Sequence, residues 1–482
     1  MPIFINNSLS RKKEEFIPLN PPKVNIYTCG VTVYDECHIG HARSLYIFDV
    51  IRRYLKYRGF DVKFVRNITD IDDKIINRAN ELKTDWKELV KKYIGSYYGD
   101  LAVLRIDKAD DEPSATENIE VMKKHIQGLI EKGYAYQTET GVYFSVRKFK
   151  DYGKLSGQSI DQMLSGVRKE ADETKEDPLD FALWKKSKPG EPSWGSPWGE
   201  GRPGWHIECS VMSAKYLKTN TLDIHAGGRD LIFPHHENEI AQSEALTGKP
   251  FAKYWIHHGL LTINGQKMAK SLGNFITIKE VLSKYPADVL KIFYLQAHYS
   301  SPIDFSWEKM EEAKQALERI TILLGKIEAS ASSSKPQETG GMAQELENIQ
   351  NKFIAAMDDD FNTPQALASI FELVTLANKN IDNSDFIYTT KDILKELLNV
   401  LGVSLRVSKS VTITPDALAI SVELKEPVVI TDEEISSAIL KRVKARKDKN
   451  FTLSDKIRKE LEEKGIILED TKDGKTTWRR KI

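Results

Sequence analysis

A strand, a helix and a second strand follow one another near the start of the chain, and this order constrains the fold more than any other feature. Residues 24–32 form a short apolar run, residues 42–57 repeat apolar side chains every three or four positions, and residues 61–68 alternate. These patterns predict two strands with an amphipathic helix between them. Because such a unit joins parallel strands, the sequence predicts a parallel sheet that binds ligands beyond the carboxyl ends of its strands.

Length and composition indicate a multidomain protein of the cytoplasm. The 482 residues correspond to about three domains, and 70 Lys and Arg balance 70 Asp and Glu. Zero net charge argues against a histone-like binder but leaves room for a local basic patch. Three cysteines cannot form a disulfide framework, and neither a membrane-spanning apolar run nor an apolar leader is present. We therefore expect a soluble, cytoplasmic protein with no membrane contact.

The rest of the chain divides into helical and looped stretches. Helical spacing is found at 70–79, 86–104, 117–132, 234–246 and 308–328. The polar residues 153–176 predict a loop, and the low-complexity residues 329–341 predict a flexible one. Beyond them, a helical set is predicted at 343–357, 364–378 and 390–401. A small charged C-terminal unit follows.

Two histidines and a glycine lie between the first predicted strand and helix, in the segment His38-Ile39-Gly40-His41. The amide groups and dipole of a helix N-terminus attract anions, and Gly40 allows a ligand close to the backbone. Imidazoles can donate hydrogen bonds to phosphoryl oxygens. Taken alone, however, two histidines in a surface turn are the simpler interpretation.

Two lysines, Lys267 and Lys270, lie three positions apart beside a serine and a glycine. Lysines spaced in this way can hold a polyphosphate from a mobile loop. An ordinary solvated loop is the alternative.

A third set comprises Cys29, Cys209, His235 and Glu239. His235 and Glu239 are four positions apart on a predicted helix and therefore share a face. With two thiolates they would complete a tetrahedral zinc set. The sequence contains no C-x-x-C pair, so buried, inert cysteines beside a surface His/Glu pair are the alternative.

Six segments occur in an order that is typical of one enzyme family. They are CGVTVY at 29–34, HIGH at 38–41, NITDIDDK at 67–74, GWHIECS at 204–210, FPHHENE at 233–239 and KMAKS at 267–271. On these segments the sequence resembles the bacterial-type cysteinyl-tRNA synthetases, class I enzymes with HIGH and KMSKS signatures, over residues 3–478. Ala269 replaces the first serine of KMSKS, and because both lysines remain, we expect at most slower or altered loop closure.

The resemblance implies that L-cysteine is activated with ATP to cysteinyl-adenylate and then transferred to tRNA-Cys. It implies that His38 and His41 stabilise charge on the α-phosphate, with Gly40 also in the ATP site. Lys267 and Lys270 would hold the β- and γ-phosphates, and Mg²⁺ would accompany ATP. Positioning and charge stabilisation suffice for such a transfer without a covalent protein nucleophile.

The resemblance also implies one zinc ion per chain, with Cys29, Cys209, His235 and Glu239 as ligands. Substrate cysteine would bind the zinc through its sulfur, which selects it over serine because a hydroxyl is a poorer ligand at neutral pH. An apolar pocket separates isosteres by only about 1–3 kcal/mol. Cys37 is not a ligand on this interpretation and is expected to be a small buried side chain.

The substrate pocket implied by the resemblance is lined by Gly30, Thr32, Thr69, Trp205 and Asp230. Asp230 would receive the ammonium group of the substrate. For Trp205, a core aromatic side chain is the alternative on sequence alone.

A basic segment near the C-terminus suits tRNA. Residues 441–459 contain nine Lys and Arg and two Asp, a net charge of +7. The resemblance aligns Arg446, Phe451, Asp455 and Asp470 with positions that contact the anticodon. Without it, a solvated helix face is the alternative.

The fold class expected from these observations is α/β, with a Rossmann-like parallel-sheet catalytic domain at 1–306. Within that domain we expect a connective insertion at about 115–200 and a KMSKS-type loop at about 265–275. An α-helical bundle at 307–402 and a small α+β anticodon-binding domain at 403–482 would follow. Nothing in the sequence demands a dimer, and we expect a monomer.

Three alternatives have different expected features. A homologous ligase that joins cysteine to an amino-sugar lacks a full anticodon-binding domain, so the basic C-terminal segment favours tRNA. A plain nucleotidylyltransferase has no use for the zinc set, and a non-catalytic zinc protein that binds RNA leaves both phosphate elements unexplained.

Overall fold

The computed structural model describes residues 2–166, 174–268, 272–330, 342–404, 410–411, 424–425, 432–448, 450–464, 466–470 and 476–480, and structural statements concern these residues. They form two compact units, Met1–Ser404 and Leu405–Ile482. None of the helices in these ranges is long and apolar enough to cross a membrane.

The described part of the first unit contains both strands and helices. The strands are β1 (Phe4–Asn7), β2 (Lys12–Glu15), β3 (Lys23–Thr32), β4 (Asp61–Thr69), β5 (Ala135–Gln137), β6 (Gly141–Phe144), β7 (Phe181–Lys186), β8 (Gly201–Pro203), β9 (Leu222–Gly228), β10 (Ala252–His258), β11 (Leu261–Ile263), β12 (Gln266–Lys267) and β13 (Ile303–Phe305). The helices are α1 (Ile39–Tyr57), α2 (Asp73–Leu82), α3 (Trp86–Leu104), α4 (Ile119–Glu131), α5 (Ile160–Gly166), α6 (Trp205–Leu217), α7 (Glu237–Thr247), α8 (Ile278–Leu282), α9 (Ala287–Leu295), α10 (Trp307–Ser330), α11 (Met342–Asp358), α12 (Thr363–Lys379) and α13 (Ser384–Val400).

A four-stranded parallel sheet lies at the centre of this unit, in the order β10-β9-β3-β4. The chain moves outward from β3 to β4 and later returns to the other side of β3 as β9. The strand order therefore reverses between β3 and β9, which is where open parallel sheets bind their ligands. The predicted parallel, Rossmann-like sheet is confirmed.

Helix α1 connects β3 to β4 and packs its apolar face on the sheet. Leu45, Phe48, Ile51 and Leu55, the positions that predicted this helix, are all buried. The helix begins at Ile39, three residues before the predicted start, because the His38 side chain caps it.

Between β4 and β9 the chain forms a smaller antiparallel sheet, β5-β6-β7-β8, backed by α4 and α6. The prediction of a loop over 153–176 is wrong where α5 lies. Ser159 Oγ accepts the Gln162 amide at 3.3 Å and Gln162 Oε1 accepts the Ser159 amide at 2.9 Å, a capping box that starts this helix. Residues 167–173 lie outside the described ranges.

Helices α10 to α13 pack against one another as a bundle. Helix α10 extends to Ser330, so the predicted flexible loop at 329–341 begins too early, and its residues 331–341 lie outside the described ranges. Helix α13 begins six residues before the predicted position because Asn383 caps it by accepting the Phe386 amide at 3.1 Å.

The second unit contains short strands β14 (Ser410–Val411) and β15 (Leu424–Lys425), helices α14 (Asp432–Lys447) and α15 (Phe451–Glu463), and strands β16 (Ile466–Asp470) and β17 (Thr476–Arg480). β16 and β17 form an antiparallel hairpin. A small core of Ile435, Leu461, Ile466 and Leu468 holds the helices against the hairpin.

A buried guanidinium ties α1 to two loops at the edge of the sheet. Arg43 has no exposed surface, and its two terminal nitrogens donate to the carbonyls of Gly259 at 2.7 Å and Ser301 at 2.6 Å, as well as those of Leu260 and Tyr299. Burial lowers the pKa of Arg43 to about 10, so the group stays charged at neutral pH.

We expect Arg43→Met to destabilise the protein by about 2–5 kcal/mol, because buried carbonyls lose their donors. Urea unfolding followed by tryptophan fluorescence would measure the shift. Lys56→Met, an exposed substitution on the same helix, should change stability by less than about 0.5 kcal/mol. Equal urea midpoints for the two variants would contradict the prediction.

Candidate active site

Four potential metal ligands meet at the point where the strand order reverses. They are Cys29 on β3, Cys209 on α6, His235 in the turn before α7, and Glu239 in the first turn of α7. One ligand atom from each lies within 4.8 Å of all the others. The structure thus brings together the whole set singled out in the sequence, and all but Cys29 are buried.

A second group of four, Cys29, His225, His236 and Glu239, satisfies the same distance criterion. Sequence reasoning missed His225 and His236. His236 directly follows His235 in the same segment, which is a signal for it. His225 lies inside the apolar strand β9, where nothing in the sequence distinguishes it from a core residue.

Hydrogen bonds distinguish His225 and His236, which occur only in the second group, from the four members of the first group. His225 Nε2 lies 2.7 Å from Glu239 Oε2, and His236 Nε2 lies 3.2 Å from Cys29 Sγ. As donors, these imidazoles would orient the carboxylate and the thiolate, which is how residues behind a metal site act. The first group offers two sulfur donors, one imidazole and one carboxylate, a donor set that suits tetrahedral zinc.

The electrostatics of the cluster favour ionised Cys209 and Glu239, whereas burial and the neighbouring Cys209 and Glu239 raise the pKa of the Cys29 thiol well above its ordinary value. Burial by itself raises the pKa of the Cys209 thiol, but hydrogen bonds with Cys29 and His235 bring this pKa down to about 6. Burial also raises the pKa of Glu239, yet the neighbouring His225 and His235 hold it well below its usual range.

The remaining predicted pocket residues lie on β3, at the start of α6, and at or just beyond the ends of β4 and β9. Trp205, the first residue of α6, is partly buried and stacks on the His235 ring at 4.0 Å between centroids. Gly30 and Thr32 lie at the end of β3, and buried Thr69 ends β4. Asp230 is exposed just beyond β9.

The His38-to-His41 segment forms the N-terminus of α1. His38 Nδ1 accepts the amides of Gly40 at 3.0 Å and His41 at 3.3 Å, and His41 Nδ1 accepts the His38 amide at 3.3 Å. The two rings stack at 3.7 Å. A Cβ at Gly40 would lie 2.9 Å from the His38 ring, so a larger residue here would displace the ring that caps α1. Burial, with His38 and Lys74 nearby, holds the pKa of His41 well below 6.5.

The chain that follows the predicted KMSKS-type loop is joined to this histidine turn. The Ile39 amide donates to the Ile276 carbonyl at 3.1 Å, and the Ile278 amide donates to the Cys37 carbonyl at 3.1 Å. Lys267 is exposed at the end of β12, whereas Lys270 and Ala269 lie outside the described residues.

The four predicted anticodon residues all lie in the second unit. Arg446 is exposed on α14, and Asp455 is exposed on α15. Phe451, the first residue of α15, is 60% exposed. Asp470 ends β16.

Comparison with known proteins identifies the family. The model of the class I (C) tRNA synthetase catalytic domain matches residues 15–315, and the DALR domain model matches residues 352–406. The chain is 53% identical over 493 residues to the cysteine–tRNA ligase of Thermodesulfovibrio yellowstonii, with 99% of each chain covered. It is 51% identical over 492 residues to that of Persephonella marina, with 100% of each covered. The chain belongs to the cysteine–tRNA ligase family.

Solved structures of more distant synthetases share the fold. A methionyl-tRNA synthetase of Mycobacterium tuberculosis in complex with methionyl-adenylate superposes with a TM-score of 0.58 at 15% identity, over 79% of this chain and 90% of that chain. A ternary complex of LeuRS, tRNA and LeuAMS from Agrobacterium radiobacter gives a TM-score of 0.60 at 12% identity, over 80% and 86%.

Membership of this family makes the protein a ligase, a class I aminoacyl-tRNA synthetase. A plain nucleotidylyltransferase and a non-catalytic zinc protein are thereby set aside. Full-length similarity to cysteine–tRNA ligases also favours tRNA over an amino-sugar as the acceptor.

Proposed function

We propose that this ligase joins L-cysteine to tRNA-Cys with ATP, and selects cysteine through a zinc ion held by Cys29, Cys209, His235 and Glu239. The observation that carries the proposal is the meeting of these four donors at the reversal of strand order. When bound, zinc would take the substrate sulfur as a further, thiolate ligand, and the hydroxyl of serine is a far poorer one.

The protein groups around the metal would hold and orient the amino acid. Trp205 stacks on His235 and can form a wall beside the substrate. Asp230 is proposed to pair with the substrate ammonium group. Gly30 and Thr32, near the end of β3, and Thr69, at the end of β4, are proposed to line the pocket.

ATP would bind at the start of α1. Each ring of His38 and His41 accepts a backbone amide at Nδ1, so the neutral imidazole carries its proton on Nε2. The two Nε2–H groups are proposed to donate to the α-phosphate as charge develops during adenylate formation. Lys267 and Lys270 would stabilise the departing pyrophosphate, with Mg²⁺ accompanying ATP.

The second unit is proposed to read the anticodon. Its exposed Phe451 offers a surface on which a base can stack, within a segment of net charge +7. Arg446, Asp455 and Asp470 are the other proposed contacts. We propose domain limits at 306 and 402, a cytoplasmic location and a monomeric state, which size-exclusion chromatography with light scattering would test.

Cysteine-dependent exchange of pyrophosphate into ATP, measured beside the same assay with serine, tests the proposed function. We expect exchange with cysteine, and kcat/KM lower by a factor on the order of a thousand or more with serine. No exchange above background with cysteine, or equal exchange with serine, would refute the proposal. Elemental analysis of the purified protein should give one zinc per chain.

We expect Phe451→Ala to raise the KM for tRNA about tenfold, because base stacking contributes about 1–3 kcal/mol. Pyrophosphate exchange without tRNA should be unchanged. Leu453→Ala removes another exposed apolar side chain from the same helical turn and should leave the KM for tRNA within about twofold of wild type. A similar KM for tRNA in both variants would contradict the proposal that a base stacks on Phe451.

A further inference from the structure

The strand that carries Cys29 is irregular at that residue. β3 and β4 pair in regular parallel register up to Thr28 opposite Arg66, and again from Val31 opposite Ile68. Two residues of β3, Cys29 and Gly30, therefore face the single residue Asn67 of β4. Such a bulge turns side chains out of their regular direction, and bulges are common beside active sites.

The side chain of Asn67 bonds to the bulge. It is 1% exposed, and its Oδ1 accepts the amide of Gly30 at 2.8 Å. A Cβ on Gly30 would lie 1.6 Å from the carbonyl oxygen of Asn67, so only glycine allows the two backbones to approach this closely. Cys209 Sγ also lies 3.7 Å from the same Oδ1.

This bond fixes the orientation of the Asn67 amide. A backbone N–H is only a donor, so the atom that faces Gly30 must be the oxygen, and the NH₂ group faces the other way. There Asn67 Nδ2 donates to Thr69 Oγ1 at 3.2 Å. The Thr69 hydroxyl in turn donates to Glu208 Oε2 at 2.8 Å.

The direction of these bonds determines what Thr69 can do. The Thr69 hydroxyl proton is donated to Glu208, which is 1% exposed, and one lone pair of the hydroxyl oxygen accepts the hydrogen bond from Asn67 Nδ2. The other lone pair remains an acceptor. A hydroxyl held in this state suits a donor such as an ammonium group, not a carboxylate.

From this chain of bonds we infer that Asn67 is a positioning residue with two effects. Through Gly30 it holds the bulge that directs Cys29 towards the other metal ligands, and through Thr69 it presents an acceptor to the amino group of the substrate. The inference rests on the proposed function, because it concerns the proposed metal and cysteine sites. Asn67 is not one of the proposed metal ligands, and it acts through Gly30 and Thr69.

Four variants separate the two effects. Asn67→Ala removes both bonds. Asn67→Asp keeps an oxygen for Gly30 but offers no N–H to Thr69. Thr69→Val leaves the bulge intact and removes the hydroxyl. Asn25→Ala removes an amide side chain near the start of β3, away from the bulge, and is the matched control.

Two measurements are made on each full-length variant: the rate of zinc loss to a chelator, and the KM values for cysteine and ATP in pyrophosphate exchange. We expect Asn67→Ala to lose zinc at least tenfold faster, as residues behind metal ligands typically change metal affinity 10–100-fold. Its KM for cysteine should rise about tenfold or more, with the KM for ATP within twofold. Asn67→Asp and Thr69→Val should raise the KM for cysteine similarly but keep zinc nearly as long as the wild type.

The outcomes distinguish this inference from the proposed function. If the wild type holds no zinc or shows no cysteine-dependent exchange, the proposed function fails and the inference fails with it. If the wild type behaves as proposed but Asn67→Ala matches Asn25→Ala in both measurements, the positioning role alone is refuted. An equal rise in the KM values for cysteine and ATP in Asn67→Ala would also refute the positioning role, and so would rapid zinc loss from Asn67→Asp. If Asn67→Ala does not fold, the measurements on Asn67→Asp test the role.

Discussion

Replacing Cys209 by serine is expected to abolish tight zinc binding and to lower kcat/KM for cysteine at least a hundredfold. This change corresponds to a loss of about 2.7 kcal/mol of transition-state stabilisation. Cys209 is 1% exposed, and its thiol pKa is lowered to about 6 by hydrogen bonds with Cys29 and His235 that outweigh burial. A serine hydroxyl in the same place stays protonated near neutral pH and is a poor zinc ligand. Elemental analysis and cysteine-dependent pyrophosphate exchange would measure the two effects.

Cys37→Ser provides the matched control. Cys37 is also buried, at 6% exposed, but it belongs to neither group of potential metal ligands among the described residues. Its substitution should leave zinc content at the wild-type level and change kcat/KM for cysteine by less than about threefold. Wild-type zinc content in Cys209→Ser would remove this residue from the metal site.

The central sheet was predictable because periodicity reports burial directly. The apolar positions of α1 that repeat every three or four residues are buried against the sheet, and the alternating run after Gly59 became β4. The parallel arrangement then follows from the short crossover through a helix. These are local signals, and each agrees with the fold around it.

The misplaced helix starts lie where a side chain caps a helix in an uncommon or overlooked way. His38 begins α1 with an imidazole in place of Ser, Thr, Asp or Asn, and the Ser159/Gln162 box lies in a segment whose polarity predicted only a loop. The spacing of apolar residues carries no information about these hydrogen bonds. Helix starts are therefore decided by contacts of single residues that periodicity does not report.

The candidate site was only partly visible in the sequence for a related reason. Residue type, the helical spacing of His235 and Glu239, and the family resemblance predict Cys29, Cys209, His235 and Glu239 as ligands. Their approach to within 4.8 Å, however, depends on a bulge and on two helices distant in sequence. His225 and Asn67 act from within strands, where the alternation of the strand marks them only as buried. Their proposed roles rest on contacts with Glu239 and Gly30, which are distant in sequence and are brought close only by the fold.

Replacing His41 by asparagine is expected to lower kcat for pyrophosphate exchange about 100- to 1,000-fold while leaving the fold intact. His41 Nδ1 accepts the backbone amide of His38, and the Oδ1 of asparagine can accept the same bond. The variant loses the distal Nε2–H, the proposed donor to the α-phosphate, together with the ring that stacks on His38, and removal of one such donor typically costs this much. Exchange kinetics and the thermal midpoint would be measured together.

His41→Ala tests the contribution of His41 to the stability of the N-terminus of α1. It loses both the distal donor and the bond to the His38 amide, so it should match His41→Asn in rate but be less stable by about 1 kcal/mol. Because burial holds the pKa of His41 well below 6.5, the ring is neutral from pH 6.5 to 8.5, and its contribution to the rate should not vary across that range. A His41→Asn enzyme with more than half of the wild-type kcat would show that the imidazole serves α1 as a cap and not the phosphate as a donor.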